Sequence, residues 1–402
     1  MSKNTIPISM QTLTPVHIGS GEQLQGNFDY LYFQDEAVVA VIDAAKILGI
    51  IGAENIDKWV SVIDNQGNLL NDLPQLRHIS SAQIAKRILS IFDKAPNPEK
   101  NHIKEQTHLG NHQPVIPGSS LKGAVRTAIL TKLIRDNATF ASKERHLKDR
   151  KGRFNDNQVV TEYLAKEVLI DRKTRRPKRD RDGNVLTRYS ANKDMMRFLR
   201  VSDFYFEAQT TVVKNTVINL FNSGWAEKKQ ESAYWECIPK DATAKGHLQL
   251  PRDLIQQVQN KNYITRKDYD LSLLEPKKLF KLINQHTANL LDRELSFWND
   301  EDNPLAIGDH ANYLENIETL VKNCDENTCI MRVGASNGWE FMTGSWASDK
   351  DAYDDFILSD ATWNNLKKTL RKKRYDDDMI FPKTRKMIEG GMPLGFVKLS
   401  II

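Results

Sequence analysis

The stretch PVIPGSSLKGAVRTAIL, Pro114 to Leu130, constrains the fold more than any other part of this chain. It reads as a strand end, a Pro117-Gly118 break, a double-serine cap and then an amphipathic helix, because a serine hydroxyl at a helix start accepts from the free N–H groups. Leu121, Ala124, Val125, Ala128, Ile129 and Leu133 recur at helical spacing and predict a core-facing stripe. Charge is the unusual part. Lys122 and Arg126 occupy the first two turns, where the helix dipole favours acids over cations. Gly118, Ser119, Ser120, Lys122 and Arg126 together form a helix start suited to an anion, most simply a phosphate. An ordinary capped core helix, with Lys122 extending its stem to water, fits the same residues.

The remaining elements predict a mixed α+β fold. Thr5 to Thr14 alternates as a first strand ending at Pro15, and Phe28–Phe33 with Ala37–Ile42 reads as a hairpin. Asp43 caps a helix over Ala44–Ile51, and Ser80–Phe92 is expected to be helical. Met196–Phe206 is expected to be a buried strand, and Thr210–Phe221 and Ala233–Leu250 are further extended runs. The pattern is helical over Asp268–Trp298 and Asn312–Val321, then strand-like at Cys329–Val333 and Leu394–Ile401. Strands with helices inserted between them suit a ferredoxin-like βαββαβ core, the fold of RNA-recognition modules, better than a doubly wound parallel sheet. The length of 402 residues suggests more than one domain. The expected division is 1–250, an N-terminal ferredoxin-like domain with a basic insertion around 143–197, and 251–402, a helical and strand region. From the residues alone, that second region either forms a second such core or completes the first.

Charge is unevenly spread. From Lys143 to Arg197 there are 17 Lys and Arg against 9 Asp and Glu, a balance of +8 in a chain of net +5, so the remainder stands at −3. Concentrated basic charge is the footprint of a polyanion partner. Its densest part, Asp171 to Asn184, holds almost no apolar residue and is expected to be a mobile loop, with Arg172, Arg175, Arg176 and Lys178 as candidate phosphate contacts. No apolar run reaches the length of a membrane span and the first ten residues lack a signal-peptide core, so a cytoplasmic protein with no membrane partner is expected. Cys237, Cys324 and Cys329 lack CxxC spacing, and the histidines show no HExxH pattern. Neither a metal nor another cofactor is indicated. The acidic clusters Asp349–Asp355 and Asp376–Asp378 read as solvated surface, and the basic run Lys367–Arg374 as a solvated helix face or subunit contact.

PGSSLKGAVRT resembles the signature of the RAMP subunits of CRISPR effector complexes, in which a glycine-serine turn and the helix after it contact guide RNA. Three more blocks resemble RAMP elements in the same order: LTPVHIGSGE at Leu13–Glu22, RVGASNGW at Arg332–Trp339, and PLGFVKL at Pro393–Leu399. The set resembles best the subunit that caps the guide 3′ end in type III-A (Csm) complexes. The resemblance implies a ferredoxin-like RAMP core and a non-catalytic crRNA-binding role in antiviral defence that supports guide maturation. It implies as partners the crRNA, backbone RAMP and small subunits of the Csm complex, target RNA near the guide 3′ region, and recruited cellular nucleases. Carried onto this chain, it implies RNA contacts at His17, Gly19, Ser20 and Gly21, at Arg332, Gly334, Asn337 and Gly338, and at Lys383 and Arg385 of a PKTR-like element. Lys214 and Asn215 resemble, more loosely, the base of the thumb hairpin of backbone subunits. Two alternatives stand beside this. One is a metal-independent guide-processing ribonuclease with His17 as general base; the other is a RAMP subunit of the related Cmr complex.

Overall fold

The computed structural model describes residues 5–65, 67–136, 160–161, 163–181, 183, 185–221, 224–229, 232–261, 270–298, 310–338, 341, 384–388 and 390–402. Lys383, the acidic clusters at 349–355 and 376–378, the basic run 367–374 and the first part of the basic insertion lie outside the described residues. In chain order the strands are β1 Thr5–Thr12, β2 Gly19–Gln25, β3 Tyr30–Phe33, β4 Val38–Ile42, β5 Ala85–Ile91, β6 His102–Gln106, β7 Val115–Ile116, β8 Lys166–Val168 and β9 Thr187–Tyr189. They continue as β10 Arg200–Val201, β11 Phe204–Tyr205, β12 Thr210–Phe221, β13 Gly224–Glu227, β14 Ala233–Cys237, β15 Thr243–Gln249, β16 Thr328–Arg332, β17 Thr384–Ile388 and β18 Phe396–Ile401. The longer helices are α1 Ala44–Ile51, α2 Ile56–Asp64, α3 Gly118–Arg135, α4 Arg252–Asn260, α5 Pro276–Trp298 and α6 His310–Lys322.

One antiparallel sheet has the order β10-β15-β1-β18-β16. Alternation along β1 sends Ile8, Met10 and Thr12 inward, and Met10 sits opposite Ala244 of β15 and Leu399 of β18. Helices α3 and α5 cover this sheet through Leu121, Val125, Ile129, Phe280 and Ile283, which share a core with Ile8, Met10, Leu248, Met331 and Val397. Ala124 and Leu133 of the expected stripe pack at its margin, while Leu130 and Ile134 go fully inside. Read as β1-α3-β10-β15-α5-β18, the path places its second, third, first and fourth strands side by side in that order, as in a βαββαβ unit, with β16 added at the edge.

A second sheet runs β2-β6-β14-β12-β5-β4-β3. Its axis is the twelve-residue β12. The first half of β12 lies between β14 and the parallel β5, and the second half pairs with β17 and folds back on β13. Both sheets therefore take strands from either side of residue 250. The hairpin β3-β4 and helices α1 and α2 close a smaller core around Leu31, Phe33, Ile47 and Trp59, and Asp43 caps α1 by accepting from Ala45 N at 3.0 Å.

Three expectations are corrected. Ser80–Phe92 is helical only over Ser81–Ile84; Ala85–Ile91 is the strand β5, because Ala85 and Leu89 are buried between β4 and β12 while Lys86 and Ile88 face out. Met196–Phe206 is a 3₁₀ turn, Met195–Phe198, followed by the two-residue strands β10 and β11, since Met196, Phe198, Phe204 and Phe206 enter the core from a bent path. The segment after Asp171 is an ordered turn within the β8-β9 hairpin rather than a mobile loop. Asp171 Oδ1 accepts from Lys173 N at 2.9 Å and Thr174 N at 2.8 Å, and bridges join Ile170 to Pro177 and Arg179 to Val185.

These placements separate core from surface. Met10→Ala is expected to lower stability by about 2–5 kcal/mol in urea unfolding, because the side chain is fully buried at the centre of the five-stranded sheet. Shortening the tip between Arg172 and Arg181, whose side chains are largely exposed, is expected to move the melting temperature by only a few degrees.

Candidate nucleic-acid interface

The backbone from Leu13 to Ile18 brings three distant turns together. Leu13 N donates to Phe396 O at 2.8 Å, Gly395 N to Pro15 O at 2.9 Å, Ala335 N to His17 O at 2.9 Å and Val333 N to Gly395 O at 2.8 Å. Gly334 has φ +81°, and a Cβ there would lie 2.4 Å from His17 O; Gly395 has φ +92°, and a Cβ there would lie 2.3 Å from Val333 O. No other residue fits both the backbone and the space. The fourth block joins through Gln106 and Thr107. Ile18 N donates to Gln106 Oε1 at 2.8 Å, Thr107 N to Ile18 O at 2.7 Å, and Val115 N to Thr107 O at 3.1 Å, three residues before α3. The four blocks are therefore linked by hydrogen bonds, and in them Gly19, Ser20, Gly21 and Ser119 are exposed and Ser120, Lys122, Gly334, Asn337 and Gly338 partly so.

At the start of α3 the arrangement differs from the expected serine cap. Pro117 is the cap residue, neither serine hydroxyl caps the helix, and the Gly118 N–H donates to Asp203 Oδ1 at 2.8 Å. A Cβ on Gly118 would meet Val201 O at 2.2 Å. A protein carboxylate thus already holds the first free N–H of the helix. Arg126 is similarly engaged, 2.9 Å from Asp194, which also accepts from Tyr189 OH at 3.0 Å. Among the described residues, the Lys122 side chain has neither a hydrogen-bond nor an ion-pair partner. Partial burial lowers its pKa, aided by Arg126 and opposed by Asp194, and an incoming phosphate would relieve that penalty.

His17 is buried beside the glycine turn. It is 2% exposed, its Nδ1–H donates to the Glu236 carbonyl at 2.7 Å, and its ring packs 4.7 Å from Trp235. Burial lowers its pKa despite that hydrogen bond, so the ring is neutral, with Nε2 turned toward Gly19. Lys214 and Asn215 lie in the middle of β12. Lys214 pairs with Glu227 at 3.2 Å, and the fully buried Asn215 Oδ1 accepts from Ser336 Oγ at 2.8 Å, tying the second sheet to the Gly334–Gly338 turn.

Two of the expected arginine contacts, Arg332 and Arg385, are buried instead. Arg385 Nε donates to Glu294 Oε2 at 3.0 Å on α5, inside the protein. Arg332 donates to Leu394 O at 2.8 Å and Ser336 O at 3.2 Å, with its guanidinium 5.0 Å from the Phe341 ring and 5.2 Å from Phe396. Burial pulls Arg332 down to about 10, so it remains charged at neutral pH. Its contacts are carbonyls and aromatic faces, and its charge stands directly beneath the glycine turn. The exposed Arg172, Arg175, Arg176 and Lys178 occupy the tip of the β8-β9 hairpin, beside exposed Ile170, Val185, Leu186 and Tyr189.

Residues without a sequence signal complete the site: Gln106 as a bridge, and the buried Arg87–Glu236 pair at 2.9 Å. Only the glutamate inside the apolar run AYWEC hinted at the last. Among the described residues, Glu105, His108 and Glu236 are the one group with potential ligand atoms within 4.8 Å of one another. Both Glu236 oxygens are already occupied by Arg87, with Thr210 Oγ1 at 2.8 Å on Oε1, so the group fits an ion network better than a metal site.

The family model of the RAMP superfamily matches residues 9–313. The chain belongs to the RAMP superfamily. No curated protein matches it in sequence. Among solved structures, it superposes on a chain of a Csm–crRNA–target RNA ternary complex of a type III-A CRISPR–Cas system with TM-score 0.71 and 18% identity, covering 98% of this chain and all of the other. It also superposes on Csm5 of T. onnurineus with TM-score 0.66 and 17% identity, again covering 98% and 100%. This RAMP protein thus shares its fold with both along almost its full length. No helix among the described residues is long and apolar enough to cross a membrane.

Gly334→Ala is expected to cost more than the ~1–3 kcal/mol of a strained positive φ, since the Cβ also strikes His17 O, whereas Gly338→Ala, with open space around its Cβ, is expected to stay within that range in urea unfolding. Stability is expected to fall on acidification. His17 and His310 are neutral when folded, with His310 held down to about 4 mainly by burial, so the unfolded chain takes up more protons as pH drops below about 6.5. Burial alone would raise Glu236, but His108 and Arg87 outweigh it and hold it near 2, so its contribution is present above about pH 4.5 and is lost toward pH 2. Unfolding midpoints measured from pH 7 to pH 3 check this, and a flat profile would contradict it.

Proposed function

We propose that this RAMP protein is a non-catalytic crRNA-binding subunit of a type III-A CRISPR interference complex, holding the 3′ portion of the guide. The linking of four sequence-distant glycine blocks by hydrogen bonds, with the Arg332 charge beneath one turn and Lys122 beside another, carries this reading. Exposed glycine backbone and a lysine recognise phosphates and not base edges. Such a grip suits a guide whose sequence varies. The solved relatives favour the same assembly, one being part of a Csm–crRNA–target RNA complex and the other a Csm5. Backbone RAMP subunits, small subunits and target RNA are then its partners, and any effect on guide maturation comes from recruited cellular nucleases. The burial of His17, with its ring packed against Trp235, favours a structural role over a general base. The exposed basic tip of the β8-β9 hairpin, flanked by Ile170 and Tyr189, offers a further RNA contact.

Two measurements test this. In filter-binding titrations over salt, Lys122→Ala is expected to weaken RNA binding for all sequences alike and to reduce the log–log salt slope by about one. Arg126→Ala, which removes a charge already shared with Asp194, is expected to do less. Unchanged affinity and slope for Lys122→Ala would remove α3 from the interface. End-labelled guide RNA incubated with purified protein, with magnesium or with EDTA, is expected to stay intact. Trimming by the wild type that disappears in His17→Gln would establish a ribonuclease instead.

A further inference from the structure

A chain of charged hydrogen bonds runs from the buried centre of the second sheet to the exposed glycine turn. Glu236 on β14 is 0% exposed; its Oε1 accepts from Arg87 Nε at 2.9 Å, and its Oε2 accepts from Arg87 Nη2 at 3.0 Å and Gln106 N at 3.3 Å. The same Arg87 Nη2 donates to Glu105 Oε1 at 2.8 Å. The other Glu105 oxygen accepts from Ser20 Oγ at 3.1 Å, and Ser20 Oγ in turn accepts from Glu22 N at 3.1 Å. Two more links reach the turn from the same centre. The Glu236 carbonyl accepts from His17 Nδ1–H, and Gln106 Oε1 accepts from Ile18 N. Positions 17, 18 and 20 are thus each tied to residues that meet at Glu236.

The backbone explains why side chains are needed there. In the β2-β6 ladder, Gly19 sits opposite Gln106 and Gln23 opposite Lys104, so residues 20–22 bulge against Glu105 alone. Nothing lies within 4 Å of a Cβ built on Gly21, which has φ +98°. At Gly21 neither packing nor regular pairing therefore restrains the bulge, and that glycine is free to sample many conformations. A ligand binding such a turn would have to order it first. Charge deepens the point. A Glu105 carboxylate beside a phosphate-binding turn repels the ligand, and its ion pair with Arg87 at 2.8 Å offsets that.

We infer that Arg87, Glu105 and Glu236 are positioning residues that hold the Gly19–Ser20–Gly21 bulge in the conformation that receives an RNA phosphate. Arg87 neutralises the carboxylate that does the holding. This rests on the RNA-binding reading above.

The full chain and a single-stranded RNA of guide length and mixed sequence test it. Positioning and simple charge predict opposite signs for Glu105→Ala. Loss of the restraint lowers affinity, by about tenfold for a bulge that must be ordered on binding, whereas removal of a nearby negative charge alone would raise it. Ser20→Ala is expected to lower affinity similarly without any change in charge, Ser20→Thr to restore it, and the double Ser20→Ala/Glu105→Ala variant to be no weaker than either single one. Melting temperatures should stay within a few degrees of wild type. Higher or unchanged affinity for Glu105→Ala, or additive losses in the double variant, would overturn the inference. Hydrogen exchange at residues 19–21, measured without RNA, should accelerate in Glu105→Ala. Faster exchange in a protein that binds no RNA would refute the RNA reading and leave the restraint standing; unchanged exchange would refute the restraint itself.

Discussion

Two backbone segments at opposite ends of the chain approach so closely that a side chain between them is impossible. The carbonyl of His17 lies where a Cβ of residue 334 would stand, and that of Val333 where one of residue 395 would stand. Each contact is fastened by a hydrogen bond, Ala335 to His17 and Val333 to Gly395, and Gly395 N also reaches Pro15 O. The register of β1 against β18, with Met10 opposite Leu399, brings the strand ends to this meeting point. If the two strands slipped by one residue, core and solvent faces would exchange and the turns would miss each other. The exposed surface is thus a consequence of core pairing, and the glycines are what make the approach sterically possible.

Around this junction, buried charge is arranged in two separate networks. Beneath the Gly334–Gly338 turn, Arg332 is held by carbonyls and aromatic rings, while Arg385 is paired with Glu294. Beneath the Gly19–Gly21 bulge, Glu236 is saturated by Arg87, Thr210 and Gln106. Burying ions is expensive unless their hydrogen bonds are completed. Completed networks also rigidify what they touch, and here each one touches a glycine turn. Strand β12 connects them, since Thr210 at its start reaches Glu236 and Asn215, five residues on, holds Ser336.

The function we propose is one of grip. Backbone turns, a half-buried lysine and a basic hairpin offer attraction to a phosphate chain without a preference for any base. Buried His17 points its donor at the Glu236 carbonyl and packs against Trp235.

Much of this was legible along the chain and some of it was not. The core stripe of α3, the strand β1, the Asp43 cap and the four glycine blocks are local patterns, set by side-chain periodicity and by backbone conformations that few residues adopt. Ala85–Ile91 was misassigned as helix because a short apolar run fits either period until its neighbours β4 and β12 are known. Arg385 and Arg332 looked like surface cations because burial depends on partners, Glu294 and the Phe341 and Phe396 rings, that stand far away or have no charge to reveal them. Asp203 at the start of α3 and Glu105 behind Ser20 were invisible for the same reason. By itself the sequence determined which segments become strands, helices and glycine turns, because those depend on each residue and its near neighbours. Only the tertiary structure decided which charges face the ligand and which hold the site together, because a hydrogen bond between residues 87 and 236 exists only once the sheet between them has formed.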